Sequence, residues 1–263
     1  NALFEEFPAE IVVHTAGVNQ VSLLEGTVVG AVRGNVVTTQ NVARAAQHFG
    51  SEALVMMSTT KAFSPANVAA SSRRAGEAVA LASASNSLAV RVVRVPNVLG
   101  SRGGVLRRFE QQLANGRTLR ITHPDAARRF VTVAEAAGLL LDSLALPSRA
   151  DEVLVPHSMS LIPVVAIARS LVQVARLDPD KDVTFSIVGL RPGESLTDAD
   201  PDPEQCRDLG HPRLRALPVG EGFMVDAEQL NSLVREGDSA SLRKLLDHYA
   251  ASPGRPAARK GLM

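Results

Sequence analysis

Residues 52–100 read "EALVMMSTTKAFSPANVAASSRRAGEAVALASASNSLAVRVVRVPNVLG". The opening "EALVMMST" is a short apolar run that ends in hydroxyl residues. "PANVAASSRRAGEAVALASA" then reads as a helix. "SLAVRVVRVPNVLG" is a second β-branched run that passes into a loop. Two strands, each apolar on both faces and separated by a helix, make the pattern of a parallel sheet covered on both sides.

The pattern extends upstream. "EIVVHTAG", Glu10 to Gly17, is another short β-branched run ending in small residues, as suits a buried parallel strand that meets a ligand at its C-terminal end. In "GAVRGNVVTTQNVARAAQHFG", Val32, Val36, Val37, Val42, Ala45 and Ala46 recur at helical spacing, and Gly50 stops the helix. The fold class expected is α/β, a doubly wound, Rossmann-like parallel sheet. Such a sheet normally opens with a strand, a glycine-rich turn and a helix whose N-terminus holds a pyrophosphate. No G-x-x-G-x-x-G precedes Glu10, and "GSRGG" at Gly100 to Gly104 follows a late strand with the wrong spacing. The sheet is therefore expected to lack its first glycine-rich βαβ unit. The chain opens on Asn1 rather than Met, and it reads as a fragment or as a chain with its start removed.

Beyond residue 100 the pattern changes. "GGVLRRFEQQLANG" reads as an amphipathic helix ending at Gly116. "VTVAEAAGLLLDSLA" is a helix opened by a Thr132-x-x-Glu135 capping box. "DEVLVP" and "VTFSIVG" are strands around the helix "LIPVVAIARSLVQVA". Thr197 to Arg207 is polar and Pro- and Asp-rich, and reads as a surface loop. "DAEQLNSLVREGDSASLRKLLDHYA" makes one or two helices, and "SPGRPAARKGLM" is expected to be a disordered tail. The expected division is a partial dinucleotide-binding domain at 1–100, a smaller substrate-binding lobe with some returning sheet elements at 101–250, and the tail at 251–263.

Composition narrows the function classes. The 263 residues are 45% hydrophobic and 21% charged, enough to bury a sizeable core. A net charge of +1 gives no global case for nucleic acid or a membrane surface. No apolar run reaches the ~18 residues of a membrane span, and no secretory leader is read. A single Cys206 excludes a disulfide framework and a cysteine metal cluster, and fits a reducing cytoplasm. No metal site is expected, because the histidines are scattered without ligand spacing.

Four stretches, in order, resemble the CapD-like polysaccharide-biosynthesis branch of the extended short-chain dehydrogenase/reductases. They are "IVVHTAGVNQVSLLE" at 11–25, "MSTTKAFSPANV" at 57–68, "VPNVLGSRGGVLRRFEQQLANGRTLRITHPDAARRFVTVAEA" at 95–136 and "GLRPGESL" at 189–196. "HPRL" at 211–214 is a weaker fifth. Members of that branch are nucleotide-sugar 4,6-dehydratases and epimerases, typified by UDP-N-acetylglucosamine 4,6-dehydratases. The resemblance implies an NAD(P)-binding sheet, a UDP-sugar partner held by the C-terminal lobe, self-association as an open alternative, and a cytoplasmic location. The dinucleotide itself would have to bind without the upstream glycine-rich turn.

The resemblance also assigns residues. Ser58, Thr59 and Lys61 match a Ser-Thr-Asp-Lys strand end, with Thr60 at the Asp position, so Thr59, Thr60 and Lys61 are the catalytic candidates. Thr60 can donate a hydrogen bond but cannot deliver a proton near neutral pH. Ala69 stands where Met or Tyr is expected, and Arg73 where Lys is. Arg73 can hold a ribose hydroxyl, but it stays charged and its fork has a different shape. The single Tyr249 lies far away, so no Tyr-x-x-x-Lys pair exists. Neutral Asn19 and Gln20 replace a Lys-His pair. Ala16, Asn35, Ser58 and Arg73 are the cofactor candidates. Asn97, Arg128, Arg191 and Glu194 are the substrate candidates, because arginine forks match phosphate oxygens and a carboxylate accepts from ribose hydroxyls. Each has a bland counterpart: a turn that caps the next helix for 59–61, solvated arginines for 128 and 191, a turn cap for Glu194. His14 reads as a satisfied core histidine. The function expected is a nucleotide-sugar dehydratase/epimerase-family protein with catalysis weak or lost. The alternative is a non-catalytic nucleotide-sugar-binding or partner-subunit pseudoenzyme, and a truncated product without stable function is a third.

Overall fold

The computed structural model describes residues 2–147, 149–157, 159–219 and 225–251. Three parallel strands carry the N-terminal half: β1 (Ile11–His14), β2 (Ala53–Thr59) and β3 (Ala89–Val95). The two-residue strand β4 (Asn97–Val98) follows β3. A short helix α1 (Ala2–Glu6) precedes β1. Between β1 and β2 run α2 (Val21–Leu24), α3 (Val28–Val32), a π-helical segment at Arg33–Val37 and α4 (Thr38–His48). The periodicity predicts one helix there; the structure interrupts it with a wide turn that turns Asn35 inward. Helix α5 (Val68–Ala82) joins β2 to β3.

The later elements divide between two places. Helix α6 (Val105–Ala114), strands β5 (Thr118–Ile121), β6 (Ala127–Arg128) and β7 (Phe130–Val131), and helix α7 (Val133–Leu144) lead to β8 (Glu152–Pro156). Strand β9 (Ile162–Pro163), helix α8 (Val164–Val174), strand β10 (Thr184–Ile187) and strand β11 (Leu214–Pro218) follow. The main sheet has the order β1-β2-β3-β8-β11, parallel except for the antiparallel β8–β11 pair. Strands β5 and β10 pair in parallel, away from that sheet, over a small core of Phe109, Leu119, Ile121, Ala168 and Val172. Helices α9 (Ala227–Glu236) and α10 (Ser239–Ala251) turn at the left-handed Gly237 and pack against α3 and α5, not among α6 and α8. The tail at 252–263 lies outside the described residues.

The sheet is covered on both faces. Leu54, Met56, Val90 and Val92 face α4 and α5, whereas Val55, Val93, Val95 and Leu154 face Leu139 and Leu140 of α7. Burying such side chains contributes about 1.5–3 kcal/mol each. The capping box of α7 forms as the sequence indicates, with Thr132 and Glu135 bonding reciprocally. Thr197–Arg207 is a mostly exposed loop, as its composition indicates. Asp198 in that stretch is buried, and Arg207 pairs with Ala216 as an extra bridge on β11. The Asp198 side chain turns inward to cations, while most of the stretch stays exposed.

Helix α5 is buried almost from end to end. Its N-terminal N–H groups are satisfied by Asn67 Oδ1, which accepts from Ala70 N at 2.8 Å, and by Glu25 Oε1, which accepts from Val68 N at 2.7 Å. Its middle carries Glu77, fully buried. Arg94 of β3 donates to both Glu77 oxygens at 2.9 and 2.6 Å, and Ser58 of β2 donates to Oε1 at 2.5 Å. Next to it, Gly76 lies against the π-helical segment, where an added Cβ would sit 2.5 Å from the Asn35 carbonyl oxygen.

Two stability outcomes follow. Arg94→Met strands a buried carboxylate and lowers unfolding free energy by about 3–5 kcal/mol in urea denaturation, whereas Glu77→Met/Arg94→Met loses less than Arg94→Met alone. Gly76→Ala, despite a helix propensity gain of about 1 kcal/mol, forces α5 off the Asn35 carbonyl and destabilises by about 1–2 kcal/mol net in the same assay.

Candidate functional site

The C-terminal ends of β1, β2 and β3 open onto one edge of the sheet, and every candidate residue lies near it or on a loop that reaches it. Thr59 ends β2. Its Oγ1 accepts from the Lys61 N–H at 3.3 Å, so it caps a short 3₁₀ turn at Thr60–Phe63. Thr60 is buried, and its hydroxyl has no hydrogen-bond partner. Lys61 Nζ donates to Asn97 Oδ1 at 2.7 Å, across from β2 to β4. Asn97 Nδ2 donates in turn to the Arg129 carbonyl at 3.0 Å and to Asp198 Oδ2 at 2.7 Å. Lys61, Asn97 and Asp198 thus form one connected polar group.

Arg128, on β6, closes the group from the other side. Its guanidinium donates to the carbonyls of Ala127, Leu196 and Ser195 at 2.8, 2.6 and 2.6 Å, and its Nε lies 3.5 Å from Asp198 Oδ1. Arg129 donates to the carbonyls of Met159 and Asp198 and lies 3.3 Å from Asp200. Two adjacent arginines therefore strap the 195–200 segment across the strand ends. Glu194 Oε2 accepts from the Arg191 N–H at 2.9 Å, as a turn cap would. The Arg191 side chain is exposed and makes no hydrogen bond or ion pair among the described residues.

The four cofactor candidates lie toward β1. Asn35 is wholly buried; its Oδ1 accepts from Val18 N, and its Nδ2 donates to the Val18 carbonyl and to Ser72 Oγ, all at 2.9 Å. It clamps the loop after β1. The Ser58 hydroxyl is committed to Glu77. Arg73 is buried, with Nη1 donating to the Ala16 and Met57 carbonyls at 3.4 Å and Nε without a partner. Its guanidinium packs so closely on Gly17 that a Cβ there would lie 2.5 Å away. The arginine fills the gap between the ends of β1 and β2. Ala16 is exposed and gives its carbonyl to that contact. Ala69 is buried on α5. Tyr249 Oη accepts from Asp226 N among the C-terminal helices, away from this edge.

Charge and burial act on Lys61, His14 and Arg73, the last lowered in pKa by burial against the opposing charge of Glu77. Burial holds the Lys61 ammonium below lysine's ordinary pKa; Asp198 opposes that shift and Arg128 adds to it. Burial, with the Arg73 charge second, lowers His14 to about 4. Thr39 Oγ1 gives its proton to the Asn35 carbonyl at 2.7 Å, so the neutral His14 donates from Nε2 to Thr39 Oγ1 at 3.0 Å. His14 is a structural histidine in this geometry.

Two residues of the polar group had no clear mark in the sequence, Asp198 and Arg129. For Asp198 the available cue was its place two residues after "GLRPGESL". Of two concavities of about 310 and 290 Å³, one lies at Asn67 and Arg243 and the other between Phe63 and Pro218, reaching Asp200; neither includes Lys61, Asn97 or Arg128. No metal-binding group of three His, Cys, Asp or Glu side chains occurs among the described residues. No helix among them is long and apolar enough to cross a membrane.

The profile of a family described as "Polysaccharide biosynthesis protein" matches residues 1–200. This chain belongs to that family. It is 34% identical over 196 residues to the capsular polysaccharide biosynthesis protein CapD of Staphylococcus aureus, covering 74% of this chain and 32% of that protein. It is 33% identical over 195 residues to the probable polysaccharide biosynthesis protein EpsC of Bacillus subtilis (strain 168), again 74% and 32%. The chain thus spans about a third of the length of these curated relatives. Among solved structures, MoeE5 in complex with UDP-glucose and NAD superposes with a TM-score of 0.66 at 21% identity, over 86% of this chain and 78% of that one. That likeness shows a shared Rossmann-type fold.

The described residues do not fit a complete dinucleotide site. They contain no glycine-rich strand-turn-helix cradle, and Asn35, Ser58 and Arg73 are turned inward and committed to protein partners. Their packing also has a pH signature. The folded chain holds His14 neutral down to about pH 4, while the unfolded chain binds a proton below about 6.5. Stability is complete above that value and is lost as pH falls toward 4, by about 2–3 kcal/mol from this one group. Urea midpoints measured from pH 7.5 to 5 decline in the native chain, and His14→Gln, which keeps a donor to Thr39, flattens that decline.

Proposed function

We propose that this chain is a nucleotide-sugar-binding member of the polysaccharide-biosynthesis dehydratase/epimerase family, taking a UDP-N-acetylglucosamine-like sugar nucleotide, with catalysis weak or lost. The observation that carries the reading is the contrast between its two sides. Lys61, Asn97 and Arg128 gather at the strand ends with Arg191 open on the adjoining loop. On the opposite side, Arg73 and Ala69 are buried where a proton-transferring pair would be required, and no carboxyl group occupies position 60.

Lys61 and Arg191 supply positive charge for diphosphate oxygens, and Glu194 and Asn97 supply polar groups for the sugar and ribose. Arg128 reaches such a ligand only by giving up its bonds to the 195–196 carbonyls, so Arg191 makes the first contact. Thr59 orients the Lys61 backbone, and Thr60 offers a hydroxyl but no neutral-pH acid. NAD(P) belongs to this reading only as the family's cofactor, because Asn35, Ser58 and Arg73 are committed to protein partners and Ala16 gives its carbonyl to Arg73. No step is assigned to it. A cytoplasmic location and self-association belong to the same reading. The second reading, a non-catalytic binding or partner subunit, draws on the same buried Arg73.

The test is calorimetric titration of the full chain with UDP-N-acetylglucosamine, alongside incubation with that sugar nucleotide and NADP to look for a 4-keto product. Binding is expected, weakened about 10- to 100-fold by Arg191→Ala, as befits loss of one charge-assisted contact. Strong turnover overturns weak or lost catalysis; no binding overturns the whole reading.

A further inference from the structure

The side chain of Asp198 is 1% exposed, yet it comes from a loop that the sequence marks as solvated. A buried carboxylate is retained only where cations and donors compensate it. Its Oδ2 accepts from Asn97 Nδ2 at 2.7 Å and from the Arg129 N–H at 3.3 Å. Its Oδ1 has no hydrogen bond and lies between two cations, 3.9 Å from Lys61 Nζ and 3.5 Å from Arg128 Nε. Among the described residues it is the one carboxylate in ion-pair range of Lys61.

We propose that Asp198 is the positioning carboxylate of this site, holding Lys61 as a fixed cation aligned through Asn97. The proposal rests on the functional reading above for its purpose, and on this geometry for its substance. Asn97 is the joint: its Oδ1 takes one ammonium donor, and its Nδ2 is anchored by Asp198. One ammonium proton is spent on Asn97, which leaves two donors for an anionic ligand. Asn97 faces the Lys61 ammonium without charge, and Thr59 meets only the Lys61 backbone N–H; Arg128 faces the ammonium with like charge; Arg129 is engaged by Asp200. Asp198 opposes the lowering of the Lys61 pKa by burial and Arg128, and the ammonium form that it favours serves as a hydrogen-bond donor and counter-charge. Asp198 acts through Lys61 and is a positioning residue.

The experiment is competitive amine labelling of the full chain across pH, read by mass spectrometry at each of its four lysines. In Asp198→Asn the labelling midpoint of Lys61 moves down by about one pH unit, while exposed Lys181, paired with Asp178, does not move. Asp198→Glu brings the Lys61 midpoint back toward that of the native chain. Asp198→Ala, which puts no amide against Lys61, gives the same downward shift and serves if the Asn variant does not fold. A loss of thermal stability with the Lys61 midpoint unchanged would mean that Asp198 is only a structural latch, and overturns the proposal. Protection of native Lys61 by UDP-N-acetylglucosamine is scored separately. A midpoint shift without protection supports Asp198 as the partner of Lys61 and removes the sugar-nucleotide reading.

Discussion

Glu77 is fully buried in the middle of α5, and the strand ends are arranged around it. A carboxylate at that depth is tolerable only when its oxygens are filled with donors. Arg94 fills both from β3 and Ser58 adds a third bond from β2, so one side chain pins the helix to two neighbouring strands. The Arg94 guanidinium also lies over the Phe63 ring, 4.9 Å from its centre, which ties the turn after β2 to the same point. The 3₁₀ turn that carries Thr60 and Lys61 is therefore not a free loop. Its two ends are set by Ser58 and Phe63, and Lys61 emerges between them toward Asn97.

That pinning has a consequence on the other side of the sheet edge. With α5 fixed, residue 73 projects into the space between the ends of β1 and β2. A guanidinium there meets Gly17 and the carbonyls of Ala16 and Met57. Asn35 then holds the loop after β1 against the same helix through Ser72. The edge is divided into a closed half around Arg73 and a charged half around Lys61.

Much of the architecture could be read from the sequence, because it depends on periodicity. The three β-branched runs became β1, β2 and β3, and Thr132-x-x-Glu135 became the capping box of α7. What escaped depends on which way a polar side chain points. Glu77 and Arg94 sit in an apolar helix and strand, and nothing local says that they face each other. The π-helical segment at 33–37 preserves helical spacing closely enough to hide the change that buries Asn35. Asp198 lies among the prolines and aspartates of a solvated-looking stretch, and its burial follows from Arg128 and Arg129, nearly seventy residues earlier. Long-range ion pairs of this kind leave no trace in local composition. The candidate site was therefore legible as a set of residues, but not as a network.

The network's charge is the last constraint. Lys61, Arg128 and Arg129 face Asp198 and Asp200, so three cations share two carboxylates. Burial strengthens such interactions and also penalises any charge left unbalanced. An anion arriving at Arg191 meets a group that already carries surplus positive charge. The carbonyls of 195 and 196 hold part of that surplus on Arg128, and they are neutral acceptors that a phosphate oxygen outcompetes. The contacts that close the strap over the strand ends are thus of the type an anionic ligand replaces most readily, whereas those that close the Arg73 side are packed against backbone and offer no such exchange.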